Sequence, residues 1–184
     1  NLVNTTCPLG NGNVAVGTKD GISIFSHSGN IIKQYNYDNG LDYTNIISLF
    51  EDEHGIIYAG SDGGGLYVIN GDDVQNYTDD DGLNSNVVSC IVGGKDGVWI
   101  GTNNGMSYYD GTFRSISNID FSNNIYSILV SDESDEMFIV GSKGIINCTE
   151  SELLGTAPLK ERYYSTGDGL DSTITINSRC CEED

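Results

Sequence analysis

Few residues in this chain of 184 could perform acid–base or nucleophilic chemistry. There are two histidines: His27 lies beside serines at a predicted strand end, and His54 lies in an acidic turn. A Ser–His–acid triad needs three groups brought together, and nothing in the spacing around His27 indicates one. The nucleophile-elbow, zincin and P-loop patterns are missing from the sequence. We therefore predict a binding module and not an enzyme.

The acidic and sulfur-containing residues predict neither a metal site nor a cofactor site. Asp79-Asp80-Asp81 is the densest carboxylate run, and calcium favours such oxygens, but the run lacks the spacing of an EF-hand loop. A solvated turn is the preferred interpretation, with calcium as the alternative. The five cysteines are odd in number and lack CxxC spacing, which indicates neither a disulfide framework nor a zinc site.

The net charge limits the partners that the chain can have. Asp and Glu number 27 against 8 Lys and Arg, which gives a formal charge of −19. Such a surface repels nucleic acid and anionic lipid but accepts cations and neutral ligands such as sugars. No apolar stretch approaches the roughly 18 residues of a membrane-spanning helix, and no signal peptide opens the chain. We expect any signal or anchor to lie outside this segment.

An internal repeat is the strongest signal in the sequence. Four apolar runs end in Gly-Thr or Gly-Ser, with their glycines at positions 17, 60, 101 and 141, so the steps are 43, 41 and 40 residues. Gly-Leu after an acidic or Asn-rich turn forms a second marker at Gly40, Gly82 and Gly169, and the missing member falls near Asp120. Each period also has a glycine turn followed by an apolar run, as expected of a β-hairpin.

Each period of about 40 residues accommodates four short strands, which predicts a β-propeller blade. In the second unit we expect strands at 46–51, 56–60, 65–70 and 73–78, and in the third at 87–92, 97–102, 105–110 and 112–117. The first unit has a weakly defined inner strand within 2–9. The fourth unit carries an insertion at which Thr149 is expected to cap one helical turn. Trp99 is expected in the core.

The fold class predicted is all-β: a single β-propeller fragment over residues 1–184. The blades span approximately 1–39, 40–81, 82–120 and 121–168, and residues 169–184 begin a fifth. Four blades could close on themselves or form an arc of a larger ring, and we favour the arc. An arc exposes apolar blade faces, so we expect possible self-association through the open ends.

One end of the blades is the predicted binding surface. The loops that join an outer strand to the next inner strand share this end with the turns between second and third strands. These loops are rich in Asn, Asp, Ser and Gly, and Tyr43 adds an aromatic platform, a combination that suits a sugar site but is also ordinary turn chemistry. The candidate ligand-binding residues are Asp42, Tyr43, Asn45, Asn84, Asn86, Asn103 and Asn123.

The second and third units resemble a known repeat. Gly-Leu-Asn-Ser-Asn at 82–86 precedes an apolar strand, then Val98-Trp99-Ile100-Gly101-Thr102-Asn103-Asn104-Gly105-Met106 and Tyr109-Asp110 follow. This closely resembles the two-component-regulator propeller repeat. The resemblance covers nearly all the chain and is weakest in the fourth unit. It implies tandem blades in the extracytoplasmic sensor of a membrane-bound bacterial regulator, often one that responds to polysaccharide fragments. The alternative is a propeller that serves as a scaffold or dimerisation module without a small-molecule ligand.

Overall fold

Four four-stranded antiparallel sheets make up the computed structural model, which describes residues 2–119, 124–131, 134–157, 160 and 162–169. The strands are β1 Val3–Pro8, β2 Val14–Thr18, β3 Gly21–Phe25 and β4 Ile31–Tyr35; β5 Ile46–Glu51, β6 Ile57–Ser61, β7 Leu66–Asn70 and β8 Asp73–Tyr77; β9 Val88–Gly93, β10 Val98–Thr102, β11 Gly105–Tyr109 and β12 Phe113–Ile116; β13 Ile125–Val130, β14 Glu136–Gly141, β15 Gly144–Thr149 and β16 Arg162–Tyr164. A short helix α1, Glu150–Leu153, follows β15 with Thr149 as its N-cap, as predicted.

Each sheet is a meander in which neighbours in sequence are neighbours in space. The first strands of the sheets lie side by side in chain order, β1 next to β5, β5 next to β9 and β9 next to β13. This is the arrangement of propeller blades around an axis, so the predicted fold class is confirmed. Among the described strands, β13 does not pack alongside β1 in the same way. The predicted first strand of a fifth blade lies outside the described residues.

Glycine closes the turn between the second and third strands of each blade. Gly21, Gly65, Gly105 and Gly144 all have positive φ, from 80° to 150°. The fourth strand also runs close to this glycine: a methyl group on Gly65 would lie 2.1 Å from the carbonyl oxygen of Tyr77. Both the backbone conformation and this close approach exclude other residues, which explains the third repeat marker.

The core lies between blades, because both faces of an inner strand are covered. Trp99 of the third blade is fully buried and belongs to a core cluster that includes Ile125 and Ile139 of the fourth blade. Between the second and third blades, Tyr77 makes an edge contact with Phe113 at 5.4 Å. The predicted core position of Trp99 is correct. Tyr35 and Tyr108 are also buried, whereas Tyr37 is 74% exposed.

Three glycines at the blade interfaces leave room for a β-branched residue of the next blade. A methyl group on any of them would lie 2.5 to 2.9 Å from that side chain, closer than real carbon atoms approach. The pairs are Gly17 with Ile46, Gly60 with Val88 and Gly101 with Ile125. The apolar-Gly-Thr/Ser marker of the first three units therefore records close packing between successive blades.

The fourth unit departs from the repeat alignment by one residue. Thr102 is the last residue of β10 and pairs with the first residue of β11, and Gly141 takes that position in the fourth blade. Val140, and not Gly141, is therefore the structural equivalent of Gly101. The alignment that placed the fourth marker at Gly141, 40 residues after Gly101, is wrong by one residue. Ser142, which the alignment matches to Thr102, has a buried hydroxyl oxygen with no partner among the described residues.

A buried tyrosine at the interface between the second and third blades predicts an alkaline loss of stability. Tyr58 donates to Asp52 Oδ2 at 3.3 Å, and burial raises the pKa of Tyr58 to about 12. The folded state holds this proton more tightly than the unfolded state, so the contribution is present below about pH 10 and is lost as the pH rises towards 12. The free energy of unfolding, measured with urea, should fall less between pH 8 and pH 11 for Tyr58→Phe than for the natural chain. Tyr37→Phe, at an exposed position, should leave the difference unchanged.

Candidate functional site

The candidate site lies near the blade axis, at the end where the loops between blades meet the turns between second and third strands. Each inner strand contains a β-bulge near this end. The register shifts between Val3 and Thr5 in β1, and the equivalent shift occurs in β5, β9 and β13. The unpaired residues at these bulges are Asn4, Ile47, Ser89 and Tyr126. Bulges commonly re-aim side chains beside functional sites.

Three of the bulge residues line a small cavity of about 200 Å³. It spans the second, third and fourth blades, and it combines apolar walls with amide, hydroxyl and carboxylate groups. The lining residues are Ile47, Asp62, Val87, Ser89, Asn103, Asn124, Ile125 and Tyr126. A concave, mostly neutral surface with a few converging polar groups is the usual form of a small-molecule site.

A chain of polar side chains connects this cavity to the first blade. Asn4 donates through Nδ2 to Asn45 Oδ1 at 3.0 Å, and Asn45 in turn donates to Asp62 Oδ2 at 3.1 Å. Asp62 is exposed. Asn45, a predicted site residue, therefore orients a residue that lines the cavity.

Asn103 is the predicted site residue that lines the cavity directly. Its side-chain oxygen accepts a hydrogen bond from Ser85 at 2.5 Å, and its backbone N–H donates to the Val87 carbonyl at 3.2 Å. These contacts fix the amide at the rim and orient its NH₂ group. In the neighbouring bulge, the Ser89 hydroxyl donates to backbone carbonyls of the third and fourth blades.

Two predicted site residues hold loops in place instead of lining the cavity. Asn84 donates through Nδ2 to the Met106 carbonyl at 2.8 Å, which attaches the loop before β9 to β11. Asn86 accepts from the Asp79 N–H at 2.9 Å and donates to its carboxylate at 2.7 Å. These bonds hold both amide groups against the loops, and a role of Asn84 and Asn86 in ligand binding stays a prediction.

The remaining predicted residues lie farther out on the same end. Tyr43 is 57% exposed, and its backbone N–H donates to the Tyr67 hydroxyl at 2.8 Å. Asp42 is exposed beside it. Neither lines the cavity, but both lie on loops at the same end. Asn123 lies outside the described residues.

Sequence reasoning missed seven lining residues: Ile47, Asp62, Val87, Ser89, Asn124, Ile125 and Tyr126. Four of these, Ile47, Ser89, Ile125 and Tyr126, belong to inner strands that read as buried on both faces, so the sequence alone assigned them to packing. A bulge leaves no composition signal in a strand of six residues.

The acidic run forms a capped turn. Asp79–Asp81 is a 3-10 helix in which Asp81 Oδ2 accepts the backbone N–H of Thr78 at 2.8 Å. In the part of the chain that the structure describes, no three His, Cys, Asp or Glu side chains converge in a geometry suited to a metal ion. Within the same residues, no helix is long and apolar enough to cross a membrane.

Comparison with known families supports the resemblance drawn from the sequence. Residues 82–104 match the model of the two component regulator propeller family. This segment covers the loop before β9 through the turn after β10, which includes Asn84, Asn86 and Asn103. The predicted relationship to this repeat is therefore confirmed. No curated protein sequence matches the chain.

Solved structures with similar folds include two bacterial proteins and one designed protein. The extracellular domain of the hybrid two component system BT3049 from B. thetaiotaomicron has 22% identity and a TM-score of 0.68 over 89% of this chain. The extracellular domain of BT4673 from the same organism has 18% identity and a TM-score of 0.70 over 88%. This chain spans 22% of the length of each of these two. A computationally designed protein has 14% identity and a TM-score of 0.58, with 80% of this chain and 45% of that protein covered.

Proposed function

We propose that this chain is a ligand-binding part of the extracytoplasmic sensor of a membrane-anchored two-component regulator, and not an enzyme. Support comes from the family match at 82–104 and from the fold shared with extracellular domains of two such systems. Both histidine side chains are exposed and lie away from the cavity. A sensor blade needs a binding surface and a rigid framework, and the cavity and the four sheets support this proposal.

The proposed ligand is a neutral, hydroxylated molecule such as an oligosaccharide fragment. The observation that carries this is the cavity formed by the bulge residues, where an aromatic ring, amides and a carboxylate lie around an apolar floor. Amide and carboxylate oxygens accept from sugar hydroxyls, amide NH₂ groups donate to them, and an aromatic side chain covers the apolar face of the sugar ring. A cavity of about 200 Å³ is sized for one sugar residue of a longer chain.

A thermal-shift screen against oligosaccharides, with calcium and with a chelator, tests this proposal. A ligand present at about 100 times its Kd should stabilise the fold by roughly 2.7 kcal/mol. Tyr126→Ala and Asn103→Ala should each weaken binding of the sugar found at least about tenfold, equivalent to about 1.4 kcal/mol. Tyr37→Ala, at an exposed tyrosine outside the cavity, is the control and should bind normally. Equal binding by all variants, or no shift with any sugar, would contradict the assignment.

A second candidate function is self-association, favoured by apolar side chains exposed on the first blade. Val14, Phe25 and Ile31 stand in one cross-strand row on the face turned away from the second blade. The exposed large apolar residues of this blade are Leu2 at 71%, Val3 at 56%, Val14 at 38%, Ile31 at 53% and Ile32 at 54%. In the fourth blade, Phe138 and Tyr164 are 38% and 40% exposed and offer a complementary surface.

Light scattering across a concentration series checks this alternative. If the first blade docks on another copy, the natural chain should associate and Ile31→Lys should shift it towards the monomer. The control, Tyr37→Lys, places the same charge at an exposed site away from this row. A monomeric natural chain at all concentrations would exclude self-association and leave the sensor proposal untouched.

A further inference from the structure

Asparagine followed by glycine is a pair of residues that can react with itself. The backbone nitrogen of the glycine attacks the side-chain carbonyl carbon of the asparagine, and glycine permits the attack because it has no Cβ in the way. The chain contains four such pairs, which begin at Asn11, Asn39, Asn70 and Asn104. All four asparagines are exposed, so exposure alone does not decide which of them reacts.

Hydrogen bonds restrain three of these pairs. Asn39 accepts a backbone N–H at 2.6 Å through Oδ1 and donates to a backbone carbonyl at 2.8 Å through Nδ2. Asn104 donates to a backbone carbonyl at 3.2 Å. Asn11 Oδ1 accepts a backbone N–H at 3.0 Å, and the Gly12 N–H that would attack it donates to the Leu9 carbonyl at 2.9 Å. These bonds must break before the side chain can turn towards the nitrogen that attacks it.

Asn70 is the exception. It is the last residue of β7 and pairs with Asp73 at the end of the ladder, where a hairpin opens most easily. Among the described residues, neither the side chain of Asn70 nor the backbone N–H of Gly71 makes a hydrogen bond. Gly71 has a φ of 60°, and a methyl group on it would meet nothing within 4 Å. Both reacting groups are therefore unrestrained and lie in open space.

The same loop also connects the first two blades. The Gly71 carbonyl oxygen accepts from Lys33 Nζ at 2.6 Å and from the Tyr35 hydroxyl at 2.8 Å, and Lys33 also pairs with Asp72 at 2.8 Å. Tyr35 is buried, so a lost partner for its hydroxyl is costly. An isoaspartate at position 70 adds a carbon to the backbone just before Gly71 and displaces this carbonyl. An aspartate leaves the backbone path unchanged.

We propose that Asn70 is a site of spontaneous deamidation, and that the isoaspartate formed there loosens the contact between the first and second blades. The Gly71 nitrogen bonds to Cγ of Asn70 and gives up its proton, the bond from Cγ to Nδ2 breaks, and Nδ2 leaves with that proton as ammonia. Water then adds to a carbonyl carbon of the resulting succinimide, and the Gly71 nitrogen takes back a proton as the ring opens. The reaction consumes water, releases ammonia and needs no oxidant. It is independent of ligand binding at the axial cavity.

Peptide mapping by mass spectrometry, on the folded chain aged in mildly alkaline buffer, tests the modification. One hydrogen bond that must first break slows the reaction about fivefold, so Asn70 should deamidate at least about fivefold faster than each of the other three asparagines. In urea the four pairs should react at similar rates, because the restraints are lost with the fold. Faster reaction at another pair in the folded chain, no reaction at Asn70, or an unchanged lead of Asn70 in urea would overturn the proposal.

Urea denaturation tests the effect on the blades. The aged natural chain should unfold at a lower urea concentration than the fresh chain, whereas fresh Asn70→Asp, which gains the charge without the extra backbone carbon, should unfold close to the fresh natural chain. Asn70→Gln is the matched control, since its longer amide closes a ring far more slowly, and its midpoint should not change on ageing. An unchanged midpoint in the aged natural chain, or an equal loss in aged Asn70→Gln, would refute the loosening of the blade contact.

Discussion

Trp99→Ala should lower the free energy of unfolding by about 3–5 kcal/mol, because it opens a cavity in the centre of a blade interface. The indole is fully buried and contacts Tyr108 at a centroid distance of 4.6 Å. A domain of this kind has a total stability of about 5–15 kcal/mol, so this loss is a large fraction of it. Trp99 is the only tryptophan, so urea unfolding of the variant should be followed by circular dichroism and not by intrinsic fluorescence.

Trp99→Phe separates the contribution of aromatic packing to stability from the contribution of the indole N–H. It retains an aromatic ring against Tyr108 and removes an N–H that has no hydrogen-bond partner among the described residues, so the loss of unfolding free energy should stay below about 2 kcal/mol. The fourth blade carries Phe138 at the equivalent position. A loss below about 1 kcal/mol for Trp99→Ala would show that the third and fourth blades do not pack as described.

Gly101→Ala should destabilise the fold by about 1–3 kcal/mol, although alanine is normally the better residue in a strand. The new methyl group would lie 2.4 Å from Cys90 Sγ and 2.7 Å from Ile125 Cγ2, so the third and fourth blades must separate or their side chains must change rotamer. Chemical denaturation of the natural chain and the variant measures the difference. The denaturation midpoint should fall while the m-value stays nearly the same, because the clash lowers the stability of the folded state without changing the surface exposed on unfolding.

Gly10→Ala is the matched control for this clash. Gly10 has no positive φ, and a methyl group there would meet only Glu51 Oε2 at 3.6 Å, an ordinary contact. The free energy of unfolding of Gly10→Ala should differ from that of the natural chain by less than about 0.5 kcal/mol. If both alanine variants had the same stability, the glycines at the blade interfaces would not record close packing between successive blades.

The repeat made most of the fold predictable. The steps between glycine markers, the hairpin turns and the alternation of the outer strands predicted four-stranded blades. The strand bounds in the second and third units were correct to within one residue at every end. The cap of helix α1 at Thr149 was also predictable, because an N-cap depends on local residues. Of the candidate site, the sequence predicted loops at the end of the blades where the cavity lies, and Asn103 of those loops lines this cavity. Ligand binding by these residues stays a prediction.

Other features were decided only by the tertiary structure. The one-residue offset that puts Val140 at the place of Gly101 could not be read from the marker, since Gly-Ser occurs in the fourth unit but pairs differently across the hairpin. The bulges that turn Ser89 and Tyr126 towards the cavity depend on pairing between strands, and so does the placement of Glu150 beside Trp99. Local sequence determines turns, caps and periodicity, because those depend on neighbours along the chain. Register and the meeting of side chains from different blades depend on contacts tens of residues apart, which no local pattern encodes.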